Sequence, residues 1–232
     1  MNDSLQTNMT GFAGAGSALA QRNRVLRNTY WLLALSMVPT VLGAWIGVST
    51  GIVASMGVGM SAIVFLVGAF GLMFAIEKTK DSSTGVVMLL AFTFFMGLML
   101  SRMLSAILGF SNGASLIMMA FGGTAIVFLS MATLATVVKR DLSGMGKFLF
   151  VGVIMLLVAG LANIFLQSTA FMLTLSVIAI GLFSAFMLYD IKRVIDGGET
   201  NYITATLAIY LDLYNVFQSL LAILGIAGGD RD

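Results

Sequence analysis

Seven stretches of roughly 20 mostly apolar residues, joined by short polar links, account for almost everything between residue 30 and residue 226. They lie near 30–48, 52–76, 86–108, 114–138, 148–166, 171–191 and 203–226. In hydrocarbon each backbone N–H and C=O must find a partner within the segment, so runs of this length resolve as helices. The expected fold is therefore all-α, a polytopic membrane bundle of about seven transmembrane helices. Composition agrees. Of 232 residues 59% are hydrophobic and 9% charged, where a soluble domain carries about 25% charge. That is too little polar surface to cover a water-soluble globule. A single Pro leaves the helices nearly free of breaks, and 26 Gly with 17 Met suit close, adaptable packing between them.

The links between the runs set an expected orientation. Arg22, Arg24 and Arg27 precede the first run, Lys78 and Lys80 lie in the second link, Lys139, Arg140 and Lys147 in the fourth, and Lys192 and Arg193 in the sixth. The first, third and fifth links hold no Lys or Arg. By the positive-inside rule the N-terminus and the even links face the cytoplasm. Residues 1–28 read as a polar N-terminal tail, 29–227 as the transmembrane domain and 228–232 as a short C-terminal tail. No early apolar core of a cleavable signal is expected, so the first run stays as an anchor. Two readings of the last run remain: a full span, with the C-terminus on the far side, or a re-entrant segment that returns it to the cytoplasm.

The chain has no Cys and no His. Disulfides, thiol nucleophiles, imidazole bases and soft-metal sites are thereby excluded. No Gly-rich segment carries the Gly-Lys-Ser/Thr of a nucleotide loop, and a formal charge of +2 gives no footprint for nucleic acid. An enzyme is not expected, nor a resident cofactor. Ion handling would fall to carboxylates, carbonyls and water.

Polar groups at membrane depth are costly and tend to be functional. The last run holds the most. Asp212, Asn215 and Ser219 share one helical face, and Tyr210, Tyr214 and Gln218 add polarity around it. Such a helix is expected at the centre of the bundle, with the other spans around it. Asp190 closes the sixth run. Two antiparallel spans joined by a short loop place Asp190 and Asp212 in the same half of the membrane. Carboxyls in contact tend to share a proton, and they are oxygen ligands suited to a hard cation such as Ca²⁺. The plainer alternatives are an interfacial pairing of Asp190 with Lys192 or Arg193, and a structural hydrogen bond from Asp212 to Asn or Tyr. Glu77 is either a solvated partner of Lys78 or Lys80 or a third acid near the pair. Arg102, within the third run, either snorkels to the far interface or finds a partner inside the bundle. Gly57, Ser61, Gly68 and Gly71 mark a small-residue face on the second run, for ordinary helix contact or for a dimer. Asn163 and Gln167 are expected to bond between helices. Two intramembrane aspartates also raise intramembrane proteolysis, but Asp212 sits in Tyr-Leu-Asp-Leu-Tyr and lacks the Gly-x-Gly-Asp such proteases use.

Four segments carry a resemblance: residues 25–30 (VLRNTY), 122–125 (GGTA), 163–167 (NIFLQ) and 197–225 (GGETNYITATLAIYLDLYNVFQSLLAILG). In order and spacing the chain resembles the Bax inhibitor-1 family over nearly its full length, and most closely its bacterial branch of FtsH-protease modulators. The resemblance implies six helices around a central seventh, and two functions. The modulator branch implies an inner-membrane partner of the FtsH protease, with an N-terminal tail that the protease engages. Other bacterial members imply a pH-sensitive calcium leak gated by two aspartates, whose positions Asp190 and Asp212 match. In those members an Arg at the end of the second span latches the pair. Here Glu77 and Lys78 occupy that region, which departs from the pattern.

Overall fold

The computed structural model describes the backbone of residues 3–229 and the side chains of residues 20–229. The described residues form eight helices: α1 (Asp3–Thr50), α2 (Ile52–Ser55), α3 (Val58–Thr79), α4 (Ser83–Leu108), α5 (Gly113–Val137), α6 (Met145–Leu166), α7 (Thr169–Ile195) and α8 (Tyr202–Gly228). Seven are long and apolar enough to cross a membrane, the first over Ala20–Thr50. The protein is a multi-pass membrane protein. The final segment is one uninterrupted helix of 27 residues, or about 40 Å at 1.5 Å per residue, long enough for a full span.

Two boundaries differ from the hydropathy reading. The stretch 1–28, read as a tail, is helical from Asp3 and runs unbroken into the first span, because no Pro interrupts it before Pro39. The second run divides. Gly51 turns with φ of 65° and the short α2 follows. Met56 is extended, and α3 starts only at Val58. Hydropathy merged the two because Ile52 to Ser55 is as apolar as the span after it. At the other terminus Gly229 follows α8, and residues 230–232 of the expected tail lie outside the described residues.

Between hydrocarbon tails and apolar side chains little hydrophobic force remains, so helix pairing rests on close packing and interhelical hydrogen bonds. The α1–α4 pair packs backbone to backbone. A Cβ at Gly97 would stand 2.0 Å from the Thr40 carbonyl oxygen, and one at Gly43 would stand 2.1 Å from that of Phe94. α8 occupies the centre, against α1, α3, α4, α5 and α7. It is the most buried span, whereas the most apolar stretch of α6 has no buried residue and packs on α7 at the rim.

The links with Lys and Arg meet at one end of the bundle. The α7–α8 loop is built for this. Gly197 has φ of 81°, and a Cβ there would fall 2.5 Å from Nε of Arg22 on α1. Glu199 accepts from the N–H groups of Thr200 and Asn201 at 2.9 and 3.0 Å. Asn201 caps α8, accepting from Ile203 N at 2.8 Å, and its amide donates to the Lys80 carbonyl and to Asp81 at 2.9 Å each. Asn163 and Gln167 do not bridge helices as expected. The Asn163 side chain accepts from Ser168 N at 3.2 Å and its carbonyl accepts from Gln167 N at 2.8 Å, which closes the α6–α7 turn.

Candidate functional site

Asp190 lies about a turn and a half inside the end of α7, and Asp212 about three turns into α8. The tight loop between these antiparallel helices brings the two carboxyl groups within hydrogen-bonding reach of each other. Asp212 is 4% exposed, and its Oδ2 is buried with no protein hydrogen-bond partner. The other charges acting on Asp190 are Arg193, one turn below, and Glu199, which Arg193 meets at 3.6 Å. Of the two basic residues expected beside Asp190, Arg193 acts on it while Lys192 turns to Asp196 at 2.6 Å, and neither Asn215 nor a tyrosine bonds Oδ2 of Asp212.

The supporting residues separate from the pair. Asn215 donates to the Leu211 carbonyl at 2.7 Å, within its own helix. Glu77 is bound to Lys80 at 2.5 Å with its side chain 60% exposed, so it is a solvated partner and not a third acid. Lys78 lies over the Phe74 ring at 5.4 Å, stacked on its own helix rather than latching the aspartates. Arg102 has found a partner in the bundle's rim. Its Nη1 donates to the Met56 carbonyl at 3.0 Å and to Ser61 at 3.3 Å, pinning the link between α2 and α3.

A second polar face of α8, noted in the sequence only as added polarity, locks that helix to α1 and α4. The Thr40 and Tyr210 hydroxyls meet at 2.9 Å, with the Ser36 carbonyl 2.8 Å from Thr40 and the Thr93 carbonyl 3.4 Å from Tyr210 as further acceptors. The Tyr214 hydroxyl donates to the Met96 carbonyl at 3.2 Å and accepts from Gln218 at 3.3 Å. The two rings stack at 6.2 Å, and Phe92 meets Tyr210 edge-on at 6.1 Å. The spacing of Tyr210, Tyr214 and Gln218, four residues apart each time, was the available signal for this face.

Chemically, two facing carboxyls with one unsatisfied oxygen can hold a proton between them. They also offer part of a hard-cation site. Ca²⁺ takes 6–8 oxygens, and no group of three His, Cys, Asp or Glu stands together among the described residues. A Ca²⁺ ion at Asp190 and Asp212 would draw most of its shell from water or carbonyls, which suits a passing ion better than a resident one. The recess of about 540 Å³ lined by Met103, Phe110, Met172 and Ile226 lies at the opposite end of the bundle, away from the acids.

Comparison with known proteins accounts for this architecture. The modulator of FtsH protease YccA of Escherichia coli K12 is 39% identical over 92% of this chain and 95% of its own length. A membrane protein of Vibrio cholerae is 41% identical over 89% of the chain and 91% of its own, and a protein of Pseudomonas aeruginosa 38% identical over 92% and 96%. The family described as inhibitor of apoptosis-promoting Bax1 matches residues 22–229, which take in every span, the α7–α8 loop and both aspartates. With seven spans, a central last helix and relatives similar end to end, the chain belongs to the Bax inhibitor-1 family.

Proposed function

We propose that this protein binds an FtsH-type membrane protease and restrains its action on membrane proteins. One observation carries the reading: the similarity to a relative named a modulator of that protease extends over 92% of the chain at 39% identity. The role is regulatory and non-enzymatic. Its N-terminus and basic loops stand in the cytoplasm of the cell that houses it in the inner membrane, by the positive-inside rule, and the long α1 extends from the first span on that side. The test is affinity purification from native membranes under mild detergent, followed by degradation of a membrane substrate by the protease with and without this protein. Co-recovery and slower degradation are expected. Recovery of no protease from membranes that contain it defeats the proposal.

A second reading is supported by the buried Asp212, which meets Asp190 and keeps one oxygen without a protein partner: a proton-controlled leak for Ca²⁺ or a similar cation. With one proton between them the carboxyls hold α7 and α8 together. With both ionised they repel each other and attract a cation, so flux rises with pH. The purified protein in liposomes, assayed from about pH 6 to 8, is expected to show Ca²⁺ flux that Asp212→Asn makes independent of pH. Absence of flux from folded protein leaves the pair structural.

A further inference from the structure

The basic segments gathered at one end of the bundle do not use their cations alike. Lys80 pairs with Glu77, Lys192 with Asp196 and Arg193 with Glu199, and Lys78 stacks on Phe74. Arg22 lies against the Gly197 turn. Around the α5–α6 link, by contrast, Lys139 and Arg140 in the loop and Lys147 in the first turn of α6 are all exposed. None of them makes a hydrogen bond, ion pair or ring contact among the described residues. Arg24 and Arg27, also exposed on α1, extend the positive field at this end.

The loop's one acid does not cancel these charges. The Asp141 carboxylate accepts from Ser143 N at 2.8 Å and from its hydroxyl at 2.9 Å. Those bonds, with a smaller contribution from Lys192, hold it below the ordinary carboxylate range. Three cations stand against this one committed anion. The end of the loop is anchored where α6 begins: a Cβ at Gly146, in the first turn of α6, would fall 2.7 Å from the Tyr189 hydroxyl, so that turn rests on the end of α7. Arg140, Asp141, Leu142, Gly144 and Met145 line a recess of about 310 Å³. Immediately beside the cations the surface turns apolar: Val137 is 66% exposed, Phe148 86% and Phe150 62%. Large exposed aromatics next to unpaired cations match the boundary where acyl chains give way to phosphates. A soluble acidic protein would meet the cations but leave Phe148 and Phe150 unmatched.

We propose that the α5–α6 loop and the first turn of α6 form a binding site for the headgroup of an anionic phospholipid, with Lys139, Arg140 and Lys147 holding its phosphate and Phe148 lying along its chains. The probe is phosphatidylglycerol or cardiolipin, titrated against phosphatidylcholine into the full-length protein. Binding is read by native mass spectrometry and by the shift in thermal unfolding. The wild type is expected to retain the anionic lipid preferentially, and added salt is expected to weaken that preference. Neutralising each cation should weaken it roughly fivefold, so the Lys139→Gln/Arg140→Gln/Lys147→Gln variant falls to the phosphatidylcholine level. Lys78→Gln/Lys80→Gln leaves it unchanged, and the charge-preserving Lys139→Arg/Arg140→Lys/Lys147→Arg variant keeps it, which separates charge from folding. Equal retention of anionic and zwitterionic lipid by the wild type overturns the proposal, as does undiminished preference in the triple Gln variant. Displacement by polyglutamate at concentrations where anionic lipid fails to bind points to an acidic protein instead and also overturns it.

Discussion

Asp212 and Arg102 are both ionisable groups inside the apolar runs, and the protein treats them differently. Arg102 reaches a backbone carbonyl and a hydroxyl at the rim, so its charge is hydrogen-bonded and close to water. Replacing it by Gln is expected to free the α2–α3 link at a cost of about 1.5–3 kcal/mol, the usual worth of hydrogen bonds to a charged group. Thermal unfolding checks the loss, and faster cysteine labelling at position 56 checks its location. Asp212 is enclosed and meets only another acid. Because carboxyls in contact ionise together only at a cost, Asp212→Asn, which keeps the shape and removes one acid from the buried contact, is expected to leave the unfolding temperature unchanged or raised, checked by parallel melts. The aspartates were legible in the sequence because a carboxylate in an apolar run has few explanations. The partners of Arg102 were not, because a backbone carbonyl 46 residues away leaves no mark in residue types.

At the scale of elements, the sequence showed which helix was central but not what fixes it there. The polarity of α8 forbids exposure to lipid on all sides, and that alone placed it in the middle. The contacts that hold it come from Tyr210 and Tyr214 reaching Thr40 and the Met96 carbonyl, and spacing alone could not name those acceptors. The glycines make the same point more sharply. The small-residue face read on the second span is only partly used: Gly68 packs on Phe95, while Gly57 and Gly71 have open space around them. The approach that matters joins Gly43 to Gly97 in α1 and α4. A regular spacing of small residues marks a face, and which face meets a neighbour depends on the rotation of the whole helix. Gly97→Ala sets a methyl against a backbone carbonyl that cannot swing away. It is expected to cost about 1–3 kcal/mol or more, seen as a lower unfolding temperature. Gly71→Ala, with nothing nearby, is expected to leave stability unchanged or raised by about 1 kcal/mol through helix propensity.

Across the whole molecule the two proposed functions call on different parts, and this separates them. A leak past Asp190 and Asp212 must continue through the centre of the bundle to the opposite end, along a helix bonded on one side to α1 and α4 and packed on the other against α7. Those contacts make a shift of α8 against its neighbours the expected gate for such a path. Binding to another membrane protein needs only the outer helices, and α3 and α6 already present broad apolar faces. The chain has no cysteine, so engineered thiols have no native competitors. Met96→Cys with Tyr214→Cys, bridged by a short bifunctional thiol reagent, ties α8 to α4 where the tyrosine hydroxyl now meets the carbonyl. The expected outcome is loss of Ca²⁺ flux with retained co-purification of the protease, and the unbridged double variant controls for loss of the tyrosine. Flux that survives the bridge excludes a central path and moves the leak elsewhere. If the bridge abolishes protease binding as well, regulation and conduction depend on one motion of α8, and the aspartate pair that sets its contact with α7 becomes the control point of both.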